Sequence, residues 1–169
     1  MRRKKMLPKK SSLLRKKNIP YNFIWSKENP LSFITEAYQK FLANFEFVNI
    51  DKKLKVIQIT SSLSGEGKST FISNVAYLLG QKKYKTILVD LDLRKPKVHH
   101  VINDNKEPGL TDVLSDKVSL EEAIKVNKGL GFDALTAGER TNTIINVLES
   151  DKMKNIIKDL KKTYDYILV

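Results

Sequence analysis

VIQITSSLSGEGKST, residues 56–70, begins with Val56, Ile57 and Ile59 and so reads as a buried β-strand. The strand breaks at the small-residue run Ser61-Ser62-Leu63-Ser64-Gly65, and Gly67-Lys68-Ser69-Thr70 then opens an apolar-periodic stretch from Phe71 to Leu79. Strand, small-residue loop and helix in that order make a phosphate-binding loop. Successive backbone N–H groups and the positive end of the following helix point at one anion. Glycine at 65 and 67 allows the unusual torsions and the close approach this needs. Lys68 is long enough to reach terminal phosphates, and the Ser69 hydroxyl suits Mg²⁺. The candidate nucleotide contacts are therefore Ser64, Gly65, Glu66, Gly67, Lys68, Ser69 and Thr70. Ser62 stands where the pattern G-x-x-x-x-G-K-[ST] has its first glycine, a mild departure because serine is also small.

Outward from the loop, 169 residues suit one domain with a sizeable core. Hydrophobic residues make up 41% and charged residues 30%, the balance of a soluble globular chain. There is no cysteine, which excludes a disulfide framework or a thiolate metal site. No apolar run is long enough to span a bilayer, and Leu13-Leu14 is too short for a secretory leader. The net charge of +12 is concentrated in residues 1–17, whose nine Lys or Arg have no acid among them; without them the remainder carries +3. Such a block repels itself and is expected to be a disordered basic tail. It suits an anionic inner-leaflet surface at about 1 kcal/mol per basic residue. It equally suits plain solvation, and it lacks the aromatic residues of a nucleic-acid arm.

Residues 18–30 read as a connector whose aromatic residues Tyr21, Phe23 and Trp25 dock on the domain, which then occupies 31–169. Asn29-Pro30 has the chemistry of a helix start. Ile34, Ala37, Tyr38, Phe41, Leu42 and Phe45 then mark one buried helical stripe. Thr86 to Val89 reads as a second buried strand, ending at Asp90. Further along, Leu110–Leu114 reads as a short helix, Leu120–Val126 as a helix begun by a Ser119/Glu122 capping box, and Phe132–Thr136 as a strand. Ile144–Leu160 reads as a helix and Tyr164–Val169 as a final strand. The expected fold is α/β: a doubly wound, mainly parallel sheet flanked by helices, of the P-loop NTPase-like kind.

In such sheets ligands bind at the carboxyl ends of the strands, which brings Asp90 and Asp92 beside Lys68. One of the two carboxylates would orient a metal-bound water, and the other would accept a proton from an attacking hydroxyl. Both are candidates, with Ser69, for metal coordination; Arg94 is a candidate for phosphoryl charge or for a carboxylate partner. His99 and His100 are adjacent, so their side chains are expected to diverge.

SSLSGEGKST, ILVDLDLRKP, GLTDVL, LTAG and YDYILV together resemble the bacterial tyrosine kinases of capsule and exopolysaccharide synthesis, in order over roughly residues 30–169. The resemblance makes the first segment Walker A and the D-x-D-x-R segment Walker A′. It implies that Lys68, Ser69 and Thr70 bind ATP·Mg²⁺, and that Asp90 and Asp92 serve metal coordination and activation of an acceptor tyrosine. It further implies autophosphorylation, a membrane adaptor of the polysaccharide copolymerase type, and a place at the inner face of the membrane. The family's self-association motif E-x-x-R-x-x-R reads here as Glu36, Gln39 and Leu42, which weakens that route to a homo-oligomer. A proline common in the first segment is Ser64, and YDYILV reaches the Walker B threshold without the aspartate or the tyrosine-rich tail that follow it in the family. The kinase domain is therefore expected to be incomplete at its C-terminus, with impaired catalysis. Two other readings stand beside the kinase. A ParA- or MinD-like ATPase would carry a signature lysine where this chain has Leu63; a non-catalytic nucleotide-binding regulator would bind without turnover.

Overall fold

A computed structural model describes residues 24–63, 65–140 and 148–169. Five strands form one sheet: β1 (Val56–Ile57), β2 (Thr86–Val89), β3 (Ile124–Lys125), β4 (Asp133–Leu135) and β5 (Tyr166–Leu168), in the order β1-β5-β2-β4-β3. The pairs β1·β5, β5·β2 and β2·β4 are parallel, and only the edge pair β3·β4 is antiparallel. The last strand thus inserts between the two strands that flank the loop helix.

Alternation along the strands builds two cores, one on each face. Ile87, Val89, Leu135 and Ile167 point to one side, against Met153, Ile156 and Leu160 of helix α7 (Asp151–Thr163). Leu88, Ala134, Tyr166 and Leu168 point to the other, against Ile72, Val75, Ala76 and Leu79 of the loop helix α3 (Lys68–Gln81). The register Ile87↔Ile167 and Leu88↔Leu168 keeps like-facing residues side by side, which parallel pairing with period-two side chains requires.

A long helix, α2 (Phe33–Asn49), covers α3. Tyr38 and Phe41 pack on Phe71, and Phe45 packs edge-on against Tyr166. Two details depart from the sequence pattern. Ser32, not Asn29, caps this helix: its hydroxyl accepts the Thr35 N–H, while the Asn29 carbonyl accepts the Thr35 hydroxyl. Ala37 is exposed, so the buried stripe is narrower than its spacing suggested. Before α2, a short helix α1 (Trp25–Glu28) packs against α3, and the buried Ser26 N–H donates to Asn74 Oδ1. Tyr21 and Phe23 lie outside the described residues.

Three short helices follow β2: α4 (Val98–Ile102), α5 (Leu110–Leu114) and α6 (Leu120–Ala123). The Ser119/Glu122 capping box forms as expected, but the helix it starts ends at Ala123. The β-branched Ile124 then opens edge strand β3, which pairs antiparallel along the free edge of β4. The helix expected from Ile144 is described from Asp151, capped by Ser150 and running to Thr163; residues 144–147 lie outside the described residues. On α4 the His99 and His100 rings do not diverge but lie against each other, with centroids 3.9 Å apart, His99 half-buried and His100 exposed.

Candidate nucleotide site

The loop between β1 and α3 is held by its own side chains. Gly67 is the N-cap of α3 with φ +94°, and Gly65 has φ +86°. An added Cβ at Gly67 would meet nothing within 4 Å, so the demand there is for torsion and not for space. Lys68 Nζ reaches back to donate to Ser61 Oγ at 2.8 Å and to the Leu63 carbonyl at 3.3 Å. The Glu66 carboxylate accepts the Leu63 N–H at 3.0 Å; that bond, with help from the Ser61 hydroxyl and the nearby Lys68 ammonium, holds its carboxyl below the usual range. Ser64 lies outside the described residues.

Beyond this loop a cleft of about 300 Å³ opens at the carboxyl ends of β1, β2 and β5. Lys68, Ser69, Asp90 and Asp92 line it together, so the residues singled out on either side of the sheet do meet. Gln58, Val98 and Val169 share its wall with apolar residues of β2 and α3. Gln58 was legible as the polar position between Ile57 and Ile59 at the end of a strand; Val98 and Val169 carry no comparable signal. Gly65, Glu66, Gly67, Thr70 and Arg94 are exposed and are not among the lining residues.

The two aspartates differ sharply in their surroundings. Asp90 is 5% exposed, and its own N–H continues the ladder to the Leu135 carbonyl at 2.9 Å. Its Oδ1 accepts the Asp92 N–H at 3.2 Å, and its Oδ2 accepts the Lys97 and Val98 N–H groups at 2.8 and 2.9 Å. Burial pushes its carboxyl upward in pKa, and those three N–H donors offset part of that. Asp92 is exposed, and its Oδ1 accepts the Lys95 N–H at 3.0 Å.

This donor set fits a magnesium nucleotide better than a free metal. Among the described residues no three His, Cys, Asp or Glu side chains gather as a cation cage. Mg²⁺ characteristically takes one or two carboxylates and completes its octahedron with water and phosphate oxygens. The Ser69 hydroxyl and a carboxylate beside a lysine-bearing loop would supply the protein's share of such a set.

A phosphate loop on a mainly parallel sheet, with an acidic strand end across a cleft, defines the P-loop nucleotide-binding class. The family model described as an AAA domain matches residues 54–169, and the chain belongs to that family. Among curated proteins it is similar to the tyrosine-protein kinase YwqD of Bacillus subtilis, 36% identical over 139 residues, which are 82% of this chain and 59% of YwqD. Among solved structures it is similar to the kinase domain of the Escherichia coli tyrosine kinase ETK, with a TM-score of 0.83 and 26% identity over 92% of this chain and 60% of that one. The septum site-determining protein MinD of Pyrococcus horikoshii, solved with Mg-ADP, shares the fold more distantly, with a TM-score of 0.58 and 31% identity over 68% of this chain and 47% of that one. The homologues are thus bacterial tyrosine kinases, and the chain spans about three-fifths of the length of YwqD. No helix among the described residues is long and apolar enough to cross a membrane.

Proposed function

We propose that this chain binds ATP·Mg²⁺ in the cleft and transfers the γ-phosphoryl group to a tyrosine hydroxyl, as part of a tyrosine kinase that regulates capsule or exopolysaccharide synthesis. The observation that carries this reading is the meeting of Lys68, Ser69, Asp90 and Asp92 on one cleft at the carboxyl ends of the strands. The loop amides and the start of α3 cradle the phosphates, and Lys68 exchanges its bonds to Ser61 and Leu63 for terminal phosphate oxygens. Ser69 and the aspartate pair would hold Mg²⁺, which when bound would neutralise the charge developing on the phosphates. In the transfer the tyrosine oxygen bonds to the γ-phosphorus, the bridging oxygen–phosphorus bond breaks, ADP keeps the electron pair, and the hydroxyl proton passes to an aspartate of the pair. Arg94, exposed just beyond that pair, serves incoming phosphoryl charge.

The partners that follow from this reading are a membrane adaptor of the polysaccharide copolymerase type and the anionic inner face of the membrane, met by the nine basic residues of 1–17. A MinD-like ATPase is the weaker reading, since Leu63 replaces its signature lysine and the ETK kinase domain superposes more completely. Incubation of the chain with γ-labelled ATP and Mg²⁺, with and without the adaptor's cytoplasmic segment, tests the proposal. Label on tyrosine supports it; release of free phosphate alone supports the ATPase, and binding without turnover supports a regulator.

A further inference from the structure

We infer that the amino end of the sheet, opposite the cleft, is a second docking surface, which seats the folded domain on an anionic phospholipid bilayer. It is separate from residues 1–17 and does not depend on the nucleotide reading. The connections α2 to β1, α3 to β2 and α7 to β5 meet there. The Ile167 N–H donates to the Lys55 carbonyl at 2.7 Å, and the Asp165 N–H donates to the Lys85 carbonyl at 2.8 Å. Half of the large apolar side chains exposed among the described residues lie on the first connection: Phe47 (76%), Val48 (57%), Ile50 (67%) and Leu54 (47%). Their exposure is built in. Asn49 turns inward between them, and its amide closes the turn by accepting the Leu54 N–H at 2.6 Å and donating to the Leu54 carbonyl at 3.0 Å.

The charge around these side chains names the partner. Lys52, Lys53, Lys83, Lys85 and Lys161 are exposed there, and among the described residues none of them forms an ion pair. Against them stand Asp51 and Asp165, and the Asp165 carboxylate already accepts the Lys85 N–H. Lys53 has φ +48° and Lys83 φ +69°, a region that favours glycine, asparagine or aspartate, so these two cations stand where the backbone disfavours them. A second copy of the chain would set lysines against lysines, and residues 1–17, with nine basic side chains and no acid, are repelled in the same way. An anionic surface is not. The apolar side chains stand at a helix end and on a turn, a shape that a bilayer accepts without a matching groove, and the lysines beside them reach headgroup phosphates. One basic block is a weak anchor, and a second contact with apolar side chains makes it a stable one. The nucleotide cleft, at the other end of the strands, then opens away from the bilayer.

The test uses the full chain and vesicles of phosphatidylcholine, with and without phosphatidylglycerol. Because the chain has no cysteine, Phe47→Cys gives one attachment point for a polarity-sensitive dye, and Phe33→Cys, 80% exposed at the other end of α2, gives the control. The dye at 47 is expected to shift to the blue on vesicles containing phosphatidylglycerol, and the dye at 33 to stay as in water. Lys53→Gly with Lys83→Gly removes two cations and relieves both backbone positions. The pair is expected to weaken sedimentation with those vesicles about 25-fold, about fivefold for each basic residue, with urea stability not lowered. The proposal is overturned if the chain does not sediment with the anionic vesicles or binds neutral ones equally well. It is also overturned if the chain sediments while the dye at 47 stays unmoved, since residues 1–17 then bind alone. A blue shift that grows with protein concentration in the absence of lipid overturns it in favour of a second copy, and unchanged sedimentation of the double variant removes the lysines from the surface.

Discussion

The two ends of the sheet use the same side-chain types for opposite purposes. At the amino end, Lys55 Nζ donates to the carbonyls of Lys161 and Tyr164, which closes the last turn of α7 onto β5. The Asp165 carboxylate there accepts the Lys85 N–H, and the Tyr84 and Tyr166 rings meet edge-on. At the carboxyl end, Lys68 Nζ also donates to a carbonyl, but to the Leu63 carbonyl of an exposed loop, at 3.3 Å. The first lysine finishes a helix; the second, on the proposed reading, holds a place for phosphate oxygens. A lysine's bonding alone therefore does not distinguish structure from function. What distinguishes them is whether the partner is part of a packed element or part of a loop whose bonds can be exchanged.

Exchanging each lysine for methionine tests that difference most severely. Lys68→Met removes a charge-assisted contact to phosphate, worth about 1.5–3 kcal/mol, and should weaken ATP analogue binding by about 10- to 100-fold with the thermal midpoint little changed. Lys55→Met should do the reverse: analogue affinity retained, and stability to urea lowered by about 1–2 kcal/mol as two carbonyls lose their partner. Calorimetric titration and urea melts on both variants read the contrast. Equal losses of affinity would remove it.

Gly67→Ala is a finer probe of the same end. Because space is open around this position and only the torsion of φ +94° is special, the substitution should cost about 1–2 kcal/mol through strain alone. The loop can relieve that strain by deforming, so the loss should appear mainly in analogue affinity and less in the melting of α3. A crystallographic comparison of the variant loop with the parent loop checks where the strain goes.

Sequence and structure agree where the physics is local. The glycines at 65 and 67 and the aspartate after Thr86–Val89 are short-range patterns found where the sequence puts them, whereas the apolar run before the loop yields only the two-residue strand Val56–Ile57, with Ile57 buried and Ile59 beyond it. Contacts that depend on the chain returning to itself were not legible. Nothing near Asp90 in sequence says that the N–H groups of Lys97 and Val98 will fold back onto its carboxylate. Ile124 and Lys125 continue a good helical pattern, and only the free edge of β4 turns them into a strand. Asn29 is as good a cap as Ser32 in isolation; the choice falls to Ser32, whose hydroxyl also accepts the Trp25 indole N–H at 2.7 Å.

The smallest expected effect lies at the amino end and is read through pH. Tyr164 is buried just before β5, and its hydroxyl donates to Asp133 Oδ2 at 2.8 Å, at the start of β4. Burial first, then the bond and charge of Asp133, push its phenol well above the ordinary tyrosine range. A raised phenol keeps its proton in the folded chain at pH values where the unfolded chain has lost it. The stabilisation is therefore complete below pH about 10, where both states are protonated, and is lost progressively as pH rises above that value. Tyr164→Phe should cost about 1 kcal/mol near neutral pH, where a neutral partner for the carboxylate disappears. It should also flatten the fall in stability above pH about 10 relative to the parent chain. The distant cleft should not register the change, so analogue affinity at pH 7.5 stays at the parent value. Urea melts at pH 7.5 and pH 10.5 measure the first two outcomes, and a change in affinity of more than about twofold would mean that the two ends of the sheet are coupled after all.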